Sequence, residues 1–226
     1  MKILAIESST STCSVAFYDG LQVLERIETI HKGHSQRILP MLDELLAVAQ
    51  CSMEHIEGLA FGRGPGAFTG LRIAAAVVQA LAFTHDLPVV GVSCLAALAQ
   101  GANYPRVLCA LDARMGEVYW GVYECDASGQ WQLHAHEQVC APSEVVCPTQ
   151  GDWVGVGSGW TLYGDTLAQT LQSRLVSRDI QAIPYARHIA ALAASEFKAG
   201  RVMAAHEVLP IYLRDNVVKK MVISSV

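Results

Sequence analysis

Apolar residues run nearly unbroken through 3–6 and 13–17 and stop at Glu7-Ser8-Ser9-Thr10 and at Tyr18-Asp19. That pattern predicts two buried strands joined by a short polar turn. Residues 107–126, VLCALDARMGEVYWGVYECD, repeat it and put Asp112 where Glu7 stands in the first unit. A third strand-like run follows each hairpin, Gln22–Thr29 and Gln132–Val139. A helix comes next in each, the strongly periodic Ser35–Ala49 and a short one after Pro142. Leu59–Gly62, Gly64 and a helix are then echoed by Val154–Gly157, Gly159 and a helix over Leu162–Leu171. A strand and a last helix close both units, Pro88–Val92 with Ser93–Gln100 and Ile180–Ile183 with Arg187–Ala199. The order β-β-β-α-β-α-β-α, twice, predicts antiparallel pairing first and parallel pairing after. It predicts two halves, 1–104 and 105–226, each a mixed sheet flanked by helices. This ordering matches a duplicated ribonuclease-H-like unit, the actin-like α/β architecture.

The stretch GRGPGAFTGLRI, residues 62–73, joins a strand to a long alanine-rich helix. Gly64, Gly66 and Gly70 free the backbone for a tight turn or for close contact with another chain, and Thr69 is the expected helix cap. A helix start offers amides to a phosphate. Yet no Lys-Ser/Thr ends the loop, and the glycine spacing is not that of a dinucleotide fold. In the helix, Ile73, Ala76, Val77 and Ala80 share one face, while Leu71, Ala74, Ala75, Val78 and Leu81 form a second apolar stripe. A helix apolar all round is covered all round, so one stripe faces the sheet and the other packs internally or meets a partner. Within Ser35–Ala49, the residues Ile38, Leu42, Leu45, Leu46 and Ala49 form one stripe, with Leu39 and Met41 off it. Arg37 and Arg72 are candidate polar anchors at the rim, arginine being enriched at interface hot spots.

Of 226 residues, 52% are hydrophobic and 16% charged, enough for a large core and for a buried interface. The longest uncharged apolar run, Ile73–Phe83, is interrupted by Gln79 and falls short of the ~20 residues that span a bilayer. Glu7 ends the first apolar run too early for the h-region of a signal peptide. Seven cysteines, an odd number without a CxxC pair, read as buried thiols of a reducing cytosol. A net charge of −5 is a poor match for nucleic acid alone, so any RNA contact needs charge from another subunit. Tyr212-Leu213-Arg214 and Lys219-Lys220 are weak candidates for such a contact.

Catalytic constellations are faint. The eight histidines form no HxxxH pair; His31 with His34, and His134 with His136 beside Glu137, read as solvated side chains, and no metal is expected. Gly155-Val156-Gly157-Ser158-Gly159 matches a nucleophile elbow only loosely, and Cys94 and Cys109 lack the cationic setting that activates a thiol.

ILAIESSTSTCSVAF, HSQRILPMLDELL, GPGAFTGLRI, DARMGEVYWGVY and PIYLR together resemble the TsaB (YeaZ) family over nearly the whole chain. The resemblance implies the actin-like ATPase fold and a bacterial cytoplasmic accessory subunit rather than an enzyme. It implies a requirement in forming threonylcarbamoyladenosine at position 37 of tRNAs that read codons beginning with A. It also implies pairing with the related transferase TsaD, joined by the small ATPase TsaE, or with a second copy through the same helices in a four-helix contact. The interface residues would then be Ile38, Leu42, Leu45, Gly66, Phe68, Thr69, Arg72, Ile73, Ala76, Val77 and Ala80. tRNA is met only within the complex, no membrane is involved, and no cofactor is tightly bound, ATP or ADP being left to the complex. In actin-like kinases the first-strand turn carries an aspartate and a glycine that hold metal and phosphate. Here Glu7, Ser8, Ser9 and Thr10, with Asp112 opposite and Arg114 beside it, read as a degenerate nucleotide cleft. The rival readings are a small-molecule kinase of the same superfamily, a metal-dependent peptidase, and a homodimer with an unrelated binding role.

Overall fold

The computed structural model describes residues 1–30, 33–146, 148, 150–171 and 174–214. The first sheet holds β1 (Ile3–Glu7), β2 (Thr12–Tyr18), β3 (Val23–Thr29), β4 (Gly58–Gly64) and β5 (Val89–Ser93), in the order β3-β2-β1-β4-β5. The second holds β6 (Arg106–Asp112), β7 (Val118–Cys125), β8 (Trp131–Cys140), β9 (Trp153–Val156) and β10 (Leu175–Asp179), in the order β10-β9-β6-β7-β8. In both, the first strand pairs antiparallel with the second and parallel with the fourth. This is the ribonuclease-H-like topology in duplicate, and the chain has the actin-like two-lobed fold.

Strand alternation decides what each face meets. Leu4 and Ile6 of β1, with Val15, Phe17, Leu59 and Phe61, face α1 (His34–Val48) and α2 (Phe68–His85). Ile3 and Ala5, with Ala16, Ala60 and Val90, face Ala186, Ile189, Ala190 and Ala193 of α5 (Ala186–Lys198). The second sheet packs Leu108, Ala110, Val118 and Trp120 on Trp160 and Leu167 of α4 (Gly159–Leu171). Its other face packs Val107, Cys109 and Leu111 on Leu95 and Leu98 of α3 (Cys94–Gln100). The halves therefore exchange helices: α3, from the first, covers the second sheet, and α5, from the second, covers the first. Ser14, wholly buried on β2, accepts a hydrogen bond from the Ala186 amide at 2.8 Å and so anchors the start of α5.

Several sequence expectations change. Among the described residues no helix directly follows Pro142, and residues 142–144 form a turn; Pro148 lies too close for a helix to develop. The expected strand Ile180–Ile183 is displaced to Leu175–Asp179, because the Asp179 carboxylate accepts the Gln181 amide at 3.1 Å and turns the chain there. Thr69 is not a cap: α2 starts after Ala67, without a side-chain cap bond. With 18 residues and a mean hydropathy of 1.2, α2 is itself long and apolar enough to cross a membrane, but one face is core. Cys13, Cys94 and Cys109 are buried, whereas Cys51, Cys125 and Cys140 are only half-buried. His31, Cys147, Lys219 and Lys220 lie outside the described residues.

Candidate functional site

The first-strand turn is packed directly against the glycine loop. Glu7 is fully buried; one carboxylate oxygen accepts the Ser9 amide at 2.6 Å and the other accepts the Cys94 thiol at 3.3 Å. Burial raises its pKa above the ordinary 4.5, against the lowering effect of those bonds. A β-carbon on Gly66 would lie 2.5 Å from Ser9 Cβ, and one on Gly70 would lie 1.8 Å from the Ser8 carbonyl oxygen. The Ala67 amide donates to the Ser9 carbonyl at 2.7 Å, and Ser8 Oγ donates to the Gly70 carbonyl at 2.9 Å. The glycines thus serve close approach of the chain to itself. Thr10 Oγ1 accepts the Thr12 amide at 3.1 Å and belongs to the same turn.

Asp112 does not join this group. Its carboxylate accepts the Arg114 amide at 2.8 Å and pairs with the Arg114 guanidinium at 3.1 Å. Among the described residues, no hydrogen bond links it to Glu7, and no three His, Cys, Asp or Glu side chains stand together as metal ligands.

The two stripes of α2 separate only in part. Leu71, Ala74, Ala75 and Val78 are buried, but Leu81 is half-buried and Ala82 is buried instead; Phe68, Thr69, Arg72, Ala76 and Ala80 are exposed, while Ile73 and Val77 are half-buried against the same core. Phe83 extends the outer face and is 84% exposed. α1 behaves differently. Ile38, Leu42 and Leu45, expected at a partner interface, lie in the core against β2 and α2 and are unavailable to another chain. The stripe faces inward and is wider than its periodicity suggested, because Met41, expected off it, is fully buried in the same core; Leu39, Ala47 and Val48 are the exposed apolar residues of α1. Gly66 is also turned inward, onto Ser9. Arg37 is tied within the chain, to Glu28 and to Glu44. Arg72 stands over the Phe68 ring, its guanidinium carbon 3.7 Å from the centroid, and its Nε donates to Tyr212 Oη at 3.0 Å.

Two features escaped the sequence reading. Ser93 Oγ accepts the amides of Leu95 and Ala96, capping α3, and donates to Glu137, which Tyr123 Oη also reaches. A residue of the first sheet is thereby bound to the second. The cap itself was legible, as a serine before an apolar helical run. His188 is half-buried rather than solvated, and burial with the Arg187 charge pushes its pKa down to about 4.

The family model for TsaD, tRNA N6-adenosine threonylcarbamoyltransferase, matches residues 25–221. The tRNA threonylcarbamoyladenosine biosynthesis protein TsaB of Escherichia coli is 41% identical over 228 residues, covering 97% of each chain. That of Haemophilus influenzae is 39% identical, covering 97% of this chain and 96% of its own. Among solved structures, YeaZ from Pseudomonas aeruginosa superposes with a TM-score of 0.88 at 41% identity, covering 94% of this chain and 99% of that one.

Proposed function

This chain belongs to the TsaB (YeaZ) family, and from that premise we propose that it is a non-catalytic subunit in the biosynthesis of tRNA threonylcarbamoyladenosine. It binds and activates the TsaD-type transferase, together with the TsaE ATPase, for modification of adenosine 37 in tRNAs reading codons that begin with A. The observation that carries this reading is the outer face of α2, where Ala76, Ala80 and Phe83 stand exposed on a helix whose other face is core. Small residues there admit a second helix closely, and an exposed apolar face of this kind marks an interaction site. The match to the transferase's own family model supports pairing between paralogues. The Glu7–Thr10 turn, filled by its own backbone and by a buried carboxyl, supports a degenerate cleft, leaving ATP or ADP to the assembled cytoplasmic complex.

The test is threonylcarbamoyl transfer to unmodified tRNA from pre-formed threonylcarbamoyl-adenylate. It is run with this chain alone, with TsaD and TsaE alone, and with all three. Modification only in the full mixture is the expected result. Modification by this chain alone makes it an enzyme, and modification without it removes the proposed role.

A further inference from the structure

Residues 203–214 run as a strap along α2. Met203 and Val89 exchange both backbone hydrogen bonds, at 3.0 and 2.9 Å, and Gln79 Nε2 donates to the Ala205 carbonyl at 3.1 Å. Val208 is buried in the core beneath, and the Ile211 amide donates to the Arg63 carbonyl at 2.7 Å. Tyr212 then stacks on Phe68, centroids 4.9 Å apart, and accepts from Arg72. At Arg214 the strap reaches the other half of the molecule. There Arg214, its side chain only 16% exposed, pairs with Glu117 and reaches the Arg114 carbonyl at 3.4 Å and Met115 Sδ at 3.3 Å. The receiving turn is itself tight, with Arg114, Met115 and Gly116 at positive φ and the Glu117 amide donating to the Arg114 carbonyl at 3.1 Å.

We propose that the Arg214–Glu117 pair is a clamp that positions the partner-binding face of α2 from the opposite half of the molecule. The clamp holds the strap, the strap holds Tyr212, and Tyr212 holds Arg72 and Phe68 at the N-terminal end of that face. Between strap and helix lies a cleft of about 380 Å³, lined by Arg72, Ala75, Ala76, Gln79, Leu209 and Tyr212. It opens beside Ala76, so the lie of the strap sets the shape of the surface a partner meets. Glu117 and Arg214 are positioning residues; neither lies on α2. The inference rests on the interface reading above.

The variants are Arg214→Ala, Glu117→Ala, the charge-swapped Arg214→Glu/Glu117→Arg pair, and Tyr212→Ala, which leaves the clamp intact. Each is compared by its calorimetric dissociation constant for the TsaD-type partner and by amide hydrogen exchange at Ile211, with urea midpoints to confirm folding. Both single clamp variants and Tyr212→Ala are expected to raise the dissociation constant about tenfold. The clamp variants also speed exchange at Ile211, and the swapped pair restores both readouts. An unchanged dissociation constant in the clamp variants, whatever the exchange rate, overturns the clamp. If Ala76→Arg abolishes binding in that same series, the α2 interface stands without it. If Ala76→Arg also binds normally, the interface reading itself falls, and the inference with it.

Discussion

Glu7 Oε2 stands 1.8 Å from where a β-carbon on Gly62 would have to be. The carboxyl of one strand therefore occupies the space that a side chain on the neighbouring strand would fill, with the Cys94 thiol closing the same pocket. Gly62→Ala forces the buried acid out of its bonds with the Ser9 amide and Cys94. Overpacking a core costs about 1–3 kcal/mol, and displacing a buried polar group from its partners adds about 1–3 kcal/mol. Gly62→Ala is expected to lower unfolding stability by the combined amount, read from urea titration. Gly116→Ala, whose β-carbon meets nothing within 4 Å, carries only the strain of its positive φ.

The same burial makes stability depend on pH. Glu7 binds its proton more tightly in the folded chain than in the unfolded one, because desolvation opposes the charged form. Its contribution is therefore complete below the unfolded value of 4.5 and is lost as pH rises through the folded value. Glu7→Gln keeps the shape and removes the titration. The stability of Glu7→Gln relative to the parent should rise as pH increases above 4.5. A difference that does not change with pH means Glu7 is ionised when folded.

Much of this architecture was legible because strand order and apolar periodicity report on backbone pairing, which the sequence carries locally. The duplication and the core-facing residues Leu71, Ala74, Ala75 and Val78 of α2 follow from residues that act near their own positions, whereas the glycine loop, expected to turn tightly or to touch another chain, closes on Ser8 and Ser9 of its own chain. The exchange of α3 and α5 between halves leaves only one local trace, a serine at the inward-facing position 14 of an apolar strand. The direction of the α1 stripe was illegible for a related reason. Ile38, Leu42 and Leu45 are equally apolar whether they face a sheet or another chain, and only the position of the sheet decides.

That distinction is measurable. Ile38→Ala, Leu42→Ala and Leu45→Ala each remove side chains from a closed core and should cost about 2–5 kcal/mol. Leu39→Ala, on the exposed side of the same helix, should stay within about 0.5 kcal/mol. Thermal and urea unfolding of the four variants gives the comparison. Equal small effects across the set would place the Ile38 stripe at a surface after all.

The Ser93–Glu137–Tyr123 group joins the two sheets through one acceptor. Ser93 belongs to β5 and caps α3, whereas Tyr123 and Glu137 belong to β7 and β8. Burial and the Glu137 charge raise the Tyr123 pKa well above its ordinary value, so the phenol stays protonated and remains a donor. Hydrogen bonds to charged groups contribute about 1.5–3 kcal/mol each. Glu137→Ala leaves two hydroxyls without their acceptor and should cost more than either Ser93→Ala or Tyr123→Phe. Because both donors share one carboxylate, their losses should not add: with one removed, the other approaches Glu137 unopposed. A double-mutant cycle on Ser93→Ala and Tyr123→Phe should therefore show a coupling energy of about 0.5–3 kcal/mol. Strict additivity would mean that the two hydroxyls bind Glu137 independently and that removing one leaves the other unchanged.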